Sequence, residues 1–229
     1  LLEGGYKNYR KYIYNKLNEL DINFQLIVLH GMTGVGKTAL LKILDEKGFP
    51  VINLENMAGN RGSVFGDFGI DHSVSQKMFD SLLYTKINKI DSNFVFIEAE
   101  SRRIGNLFIP ERLFNSMKKG VHILLKASIE SRVNRILKDY VYSNQDHLEN
   151  TKDIEKRIMN LNKTLGEKKC RLLVELLRKK DYISIIRLLL LNYYDPLYEY
   201  SEKKLAGYEK VIIADDLMKA VEELIDFVS

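Results

Sequence analysis

The chain has no tryptophan, one cysteine and three prolines among its 229 residues. With Cys170 alone, no internal disulfide can form, and a metal site built from several thiolates is excluded. That usage fits a reducing compartment, so a cytoplasmic location is expected. Long apolar runs are missing as well. The longest, Leu188-Leu189-Leu190-Leu191, is soon stopped by Asn192 and Asp195, far short of the roughly 20 residues that a membrane helix needs. No membrane partner is expected, and no charged-then-apolar leader is visible. The first residue is Leu1, not Met, which points to a piece or trimmed product of something longer. Internal repeats and low-complexity tracts are absent. Charge of one sign does not dominate, and a net charge of +4 decides little about partners until its distribution is considered. What remains is ordinary globular composition, 45% hydrophobic, in a length that suits one α/β domain with an elaboration or two small domains.

The organising stretch is Gly31-Met32-Thr33-Gly34-Val35-Gly36-Lys37-Thr38. It matches G-x-x-x-x-G-K-[ST], the P-loop pattern. The apolar run Leu26-Ile27-Val28-Leu29 leads into it, and Leu40, Leu41 and Leu44 follow at helical spacing. Strand, glycine loop and helix together are the context the motif requires. Glycines let backbone N–H groups converge on phosphate oxygens, and the helix N-terminus adds partial positive charge. Gly34, Val35, Gly36, Lys37, Thr38 and Ala39 are the expected cradle. Lys37 supplies a mobile charge for the outer phosphate. Thr38 holds a phosphate oxygen, or Mg²⁺ if the reaction uses a metal. The motif specifies phosphate, not the molecule that carries it.

Around the loop the sequence predicts a P-loop NTPase-like fold: a parallel sheet flanked by helices. A linker helix is expected over Tyr6–Leu20. Strands are expected at Gln25–Leu29, Val51–Leu54, Asn93–Ile97, Val121–Lys126 and Tyr208–Ala214. A helix spans Ser73–Ile90 with Val74, Met78, Leu82 and Leu83 read as its core face. Pro110 suits the start of a helix over Glu111–Lys119. Ser128 is placed to cap Ile129–Tyr142, and Asp215 and Asp216 start the last helix. Glu98 and Glu100 end an apolar strand, where P-loop proteins place a metal-organising or water-positioning carboxylate, or a general base. The structural alternative is pairing with Arg102, Arg103 or Lys37. Between Ala58 and Gly69 lie four glycines, Arg61, Ser63, Phe65 and Phe68. This loop leaves the second strand on the P-loop's side of the sheet, so Arg61 and Ser63 are expected to meet an anion and the phenylalanines to wall an apolar pocket. Arg132, after the strand at Val121–Lys126, is a further phosphate-facing candidate.

From residue 143 to 204 the pattern is helical, without strand signals, which reads as an insertion before the last strand. Its charge is lopsided: Thr151 to Arg187 carries eleven Lys and Arg against five Asp and Glu. A basic helical arm is the electrostatic footprint of a polyanion. Lys168, Lys169, Arg171, Arg178, Lys179 and Lys180 are the candidate nucleic-acid contacts. The tyrosines at 193, 194, 198 and 200 follow, suited to base stacking or to packing between helices.

The ordered set Thr33–Thr38, Leu54-Glu55, Ala58 to Ser63 with Phe65-Gly66, Ser75-Gln76 with Phe79, Glu98–Ser101, Ile104-Gly105 and Ile109-Pro110 resembles the P-loop domain of tRNA 2-selenouridine synthase. That family pairs this domain with an N-terminal rhodanese domain, and Leu2-Glu3-Gly4-Gly5-Tyr6 resembles the rhodanese end. The resemblance implies three parts: a rhodanese tail with linker helix over 1–20, a P-loop domain over 21–142 and 205–229, and the insertion over 143–204, tRNA-binding. It implies transfer chemistry at wobble 2-thiouridine, with geranyl diphosphate alkylating the sulfur and selenophosphate then supplying selenium. Lys37 and Arg61 would stabilise the departing diphosphate, with Glu98 or Glu100 as acid or base. Asn60 departs from the pattern, where a His is expected before Arg-Gly-Ser. The family's selenation step is associated with a rhodanese cysteine, which Cys170 does not match, so the chain is expected to be incomplete for selenation and to need a rhodanese domain in cis or trans. Two other readings fit the residues: an ATP- and Mg²⁺-dependent small-molecule or nucleoside kinase, and a nucleotide-gated RNA-binding module.

Overall fold

In a computed structural model, residues 4–59, 74–142, 151–202 and 207–229 are described. The elements run α1 (Gly5–Asn18), β1 (Gln25–His30), α2 (Lys37–Glu46), β2 (Val51–Ile52), α3 (Leu54–Ala58), α4 (Gln76–Ile87), β3 (Phe94–Glu98), the short hairpin β4 (Arg103–Ile104) and β5 (Leu107–Phe108), α5 (Glu111–Lys118), β6 (Val121–Lys126) and α6 (Ile129–Ile136). A π-helical turn, Leu137–Tyr142, leads towards α7 (Thr151–Asn160), α8 (Asn162–Leu165), α9 (Glu167–Arg178) and α10 (Tyr182–Leu189). A second π-helical turn, Leu190–Tyr194, runs into α11 (Asp195–Glu202) before β7 (Lys210–Ile213) and α12 (Leu217–Val228) close the chain.

Among the described residues the main sheet has five strands in the order β2-β3-β1-β6-β7, every pair parallel. A parallel sheet is covered on both faces, so its central strands are continuously apolar. β1 shows this, with Leu26, Ile27, Val28 and Leu29 all buried. Alternation then sorts them. Leu26 and Val28 pack with Val95, Ile97 and the buried faces of α4 and α5; Ile27 and Leu29 pack with Phe96, Ile123, Leu125, α2 and α12. The helices between β6 and β7 bury a core of their own, in which Ile158, Cys170, Leu173, Leu177 and Leu189 meet Val133 of α6. This is the helical insertion before the last strand. No helix among the described residues is long and apolar enough to cross a membrane.

The strand order positions the site. β1 and β3 are neighbours, yet the chain leaves β1 towards one edge of the sheet and leaves β3 towards the other. Ligands of open α/β sheets bind at such a switch point, outside the carboxyl ends of the strands. Leu29 lies in register with Glu98 there, which brings the P-loop and the acidic strand end side by side.

Two local expectations are corrected. The second strand stops at Ile52 rather than Leu54, because the Asn53 side chain accepts a hydrogen bond from Asn56 N at 2.8 Å and starts α3. In α4 the buried stripe is Phe79, Leu83 and Ile87, not the Met78 face. Met78 is 53% exposed and Leu82 38%, while Phe79 is fully buried. Residues four apart share a face, and the stripe through Phe79 is apolar at every step. Ser128 caps α6 as expected, accepting from Ser131 N.

This register has a measurable consequence. Phe79→Ala is expected to cost about 3–5 kcal/mol of unfolding free energy, whereas Met78→Ala stays within about 0.5 kcal/mol. Urea unfolding that ranks them the other way would contradict the assigned face of α4.

Candidate functional site

The loop from β1 to α2 folds as a cradle because of its glycines. Gly34 and Gly36 have φ of 77° and 102°, a region that side chains disfavour. A Cβ on Gly34 would press on Arg132 O at 3.1 Å as well as on Ile136 Cδ1 at 2.8 Å, while one on Gly36 would have to push aside only Leu217 Cδ2 at 2.8 Å. Lys37 is the first residue of α2 and is buried, its Nζ donating to Gly31 O at 2.9 Å. Thr38 is exposed beside it, Ala39 is half-buried, and the Val35 side chain is buried in the sheet core.

Three carboxylates gather at the switch point. Thr38 Oγ1 donates to Glu55 Oε2 at 3.1 Å, and Glu55 N donates to Glu98 Oε1 at 2.5 Å. Glu98 is fully buried, and its second oxygen, Oε2, has no hydrogen-bond partner among the described residues. Burial first, then the Glu55 and Glu100 charges, push the Glu98 carboxyl up to about 8, against the pull of the Glu55 N–H and Lys37. Burial and the Glu55 charge lift Glu100 to about 7. Burial works against the charge of Lys37, but Tyr198, Glu100, Glu55 and Glu98 outweigh it and hold its pKa above the ordinary lysine value. The site therefore holds one ammonium among carboxyls that keep a proton near neutrality. The structural alternative for the strand-end acids does not apply to the two arginines: Arg102 pairs with Glu111 at 3.3 Å, and Arg103 bonds Gly105 O and Asn106.

No group of three or more His, Cys, Asp or Glu among the described residues could hold a metal ion. The donor set at Thr38 and Glu55 fits a Mg²⁺ that completes its shell with water and phosphate oxygens, the usual habit of that ion.

Helix α6 holds the cradle from behind. Arg132 is buried, its Nε donating to Thr33 O at 2.8 Å. Its two terminal nitrogens grip Asp195 of α11 at 3.0 and 2.5 Å. Arg135 donates to Val35 O at 2.9 Å, and also to Ala214 O and Asp215 O. Helix α11 also brings Tyr198, whose ring centroid is 5.9 Å from Lys37 Nζ. Arg132 thus lies against the P-loop with its fork engaged by a carboxylate.

Arg61, Ser63 and Phe65, like Phe68 and Asn60, lie outside the described residues. The structure brings together Gly34, Val35, Gly36, Lys37, Thr38, Ala39, Glu98, Glu100 and Arg132. Lys168, Lys169, Arg171, Arg178, Lys179 and Lys180 are all exposed, on α9 and just beyond it. Arg171 pairs with Glu167 and Arg178 with Glu155, while Lys169 bonds Asn192. Lys168, Lys179 and Lys180 form no ion pair among the described residues. Three participants were not foreseen. Glu55 figures in the sequence only as part of the resemblance, with no role; the Asn53 cap that starts α3 is the signal of its position. Asp195, 63 residues from Arg132, and Tyr198, as a neighbour of Lys37, left no local signal of their roles.

Two outcomes follow. Glu98 and Glu100 hold their protons up to about 8 and about 7 in the folded chain but near the ordinary 4.5 when unfolded. Their contribution to stability is complete below about pH 4.5 and is lost as the pH rises through 7 to 8. Glu98→Gln should therefore flatten the fall of unfolding free energy between these limits; an unchanged slope would contradict the assignment. Asp195→Ala strands a buried guanidinium and is expected to cost about 3 kcal/mol, partly recovered in Asp195→Ala/Arg132→Met. Strict additivity in that cycle would contradict the pairing.

Comparison with known proteins finds relatives of this chain. A model of the tRNA 2-selenouridine synthase AAA domain matches residues 24–227. A tRNA 2-selenouridine synthase of Hydrogenovibrio crunogenus is 31% identical over 89% of this chain and 61% of its own length. One from Shewanella frigidimarina is 28% identical over 98% of this chain and 66% of its own. Shikimate kinase from Bacteroides thetaiotaomicron superposes with a TM-score of 0.37 at 17% identity, covering 89% of this chain and 98% of that one. The chain spans about 61% of the length of the first of these relatives. Over residues 24–227 it belongs to the family of the tRNA 2-selenouridine synthase AAA domain.

Proposed function

We propose that the chain is the P-loop part of an enzyme that converts wobble 2-thiouridine in tRNA to 2-selenouridine through a geranylated intermediate. The sulfur attacks the carbon of geranyl diphosphate that bears the diphosphate; the carbon–oxygen bond breaks and diphosphate leaves. The selenium of selenophosphate then attacks the carbon that bears the geranyl-thio group, geranyl thiol leaves as the carbon–sulfur bond breaks, and water cleaves the selenium–phosphorus bond to release phosphate. The observation that carries this reading is the preformed cradle, in which glycines 34 and 36 hold positive φ angles that side chains disfavour and Lys37 is buried beside them. Such a site suits a diphosphate whose negative charge grows as the bond breaks. Lys37 stabilises that charge, with Arg61 as a second cation. A carboxyl that holds its proton near neutrality, Glu98 or Glu100, is suited to supply a proton to the departing oxygen or to accept one. Thr38, with Mg²⁺ if it is used, orients the phosphates. Ser63, Phe65 and Phe68 would meet the remaining phosphate oxygens and the geranyl tail.

The exposed lysines on α9 and just beyond it would meet the tRNA backbone, and Lys168, Lys179 and Lys180, which form no ion pair among the described residues, support this. Cys170 is fully buried in the core of the insertion and burial pushes its thiol up, so it is a poor nucleophile. Selenation therefore calls for a rhodanese domain in cis or trans. A cytoplasmic setting accords with a tRNA substrate.

Calorimetry with geranyl diphosphate and with Mg²⁺-ATP tests the reading. Tight geranyl diphosphate binding, weakened at least about tenfold in Lys37→Ala by loss of a charge-assisted contact, and weak ATP binding are expected. Tight Mg²⁺-ATP binding with no response to geranyl diphosphate would overturn it in favour of a kinase or a nucleotide-gated module.

A further inference from the structure

We propose that the groove between α1 and α4 is a second RNA site, which holds a single-stranded segment of the RNA. The inference rests on the reading that the chain acts on tRNA. It concerns a helix that lies before residue 24, outside the matched family segment.

The groove has a volume of about 680 Å³ and runs between α1, the first turns of α4 and the end of the β4–β5 hairpin. Helix α1 is anchored by one stripe only. Ile13 and Leu17 are buried, Tyr12 Oη meets Tyr84 Oη at 3.0 Å, and Arg112 Nε donates to Asn18 O at 3.2 Å. The rest of the helix is composed for another purpose. Its sequence, GYKNYRKYIYNKLN, has four cations, four tyrosines and no acidic residue. Tyr6, Arg10 and Tyr14 recur every fourth residue along the groove, with Lys7 and Lys11 beside them. Tyr6 is 64% exposed and Tyr14 63%. These rings are exposed although the stripe of Ile13 and Leu17 already anchors the helix.

The opposite wall continues the pattern. Phe108, 53% exposed, is fixed through its backbone by Gln76, which accepts from its N–H at 2.8 Å and donates to its carbonyl at 2.9 Å. The two acids of the groove are already engaged. Asp80 accepts from Gln76 at 2.7 Å and feels the charge of Arg10; Glu111 pairs with Arg102. Lys7, Lys11 and Lys77 form no ion pair among the described residues.

Separate cations along a track of exposed rings are the requirements of a single strand: charge for the phosphates and flat faces for unstacked bases. A duplex offers no unstacked base to the tyrosines. An acidic peptide would use the lysines and leave the rings idle. Tyr6 and Tyr14 are about 12 Å apart along the axis, eight residues at 1.5 Å each, with the cation of Arg10 midway between the two stacking platforms.

The test is fluorescence anisotropy of a labelled, unmodified tRNA transcript with the full chain, across a salt series and in competition with polyglutamate. Tyr6→Ala/Tyr14→Ala is expected to weaken binding about tenfold or more, and Tyr6→Phe/Tyr14→Phe to restore it, because stacking needs the ring and not the hydroxyl. Lys7→Gln/Lys11→Gln should reduce the slope of log K against log salt by about 1.4, two phosphate contacts at about 0.7 each. All these side chains are exposed, so melting temperatures should stay unchanged. Wild-type affinity in the alanine pair, or polyglutamate displacing the transcript through the lysines with no dependence on the rings, would overturn the groove assignment alone. Failure of the unsubstituted chain to bind the transcript would overturn both this site and the tRNA reading.

Discussion

Two guanidinium groups from one helix hold the glycine loop in shape. A loop that turns its N–H groups towards an anion must turn carbonyls away from it, and buried carbonyls need donors. Arg132 serves Thr33 O and Arg135 serves Val35 O. The same residues tie the loop to the rest of the chain, Arg135 to the end of β7 and Arg132 to Asp195 of α11. A buried charge of this kind is costly unless paired, so the loop, the last sheet strand and the helical insertion are mutually dependent. The insertion is thereby joined to the anion cradle through two residues of α11, Asp195 and Tyr198, while its basic face on α9 remains exposed.

On the other side of the loop the electrostatics are in deliberate opposition. The glycine loop, proposed to take an anion, sits beside Glu55, Glu98 and Glu100, and only Lys37 among the described residues offsets them at close range. The folded chain answers by keeping protons on carboxyls that would ordinarily be ionised. Strongly shifted groups in a cleft are a recognised mark of functional sites. On the proposed reading, an arriving diphosphate would add negative charge and raise the proton affinity of Glu98 and Glu100 further, so binding of the anion and of protons would be coupled.

Much of this was legible in the sequence because it is written in local patterns. The P-loop carries its own context of strand and helix, the strand ends at Glu98 where the apolar run ends, and Ser128 announces the start of α6. The insertion was visible as a long stretch without strand signals and with unbalanced charge. What escaped depends on information that is not local. The face of α4 is chosen by the sheet it packs on, so the Met78 stripe lost to Phe79. Asn53 competes for the backbone with the strand and wins, which places Glu55 next to Thr38. Asp195 is a carboxylate like any other until the fold brings it to Arg132. The groove beside α1 arises only when the β4–β5 hairpin, which the sequence did not suggest, brings Phe108 opposite Tyr6 and Tyr14.

The most direct test of the central claim is mass analysis of nucleosides from a 2-thiouridine-bearing tRNA incubated with the chain and geranyl diphosphate, without selenophosphate. The account predicts a geranyl adduct on the wobble sulfur, with one diphosphate released per adduct, and neither product with Lys37→Ala. Unaltered 2-thiouridine alongside consumption of added ATP would contradict it.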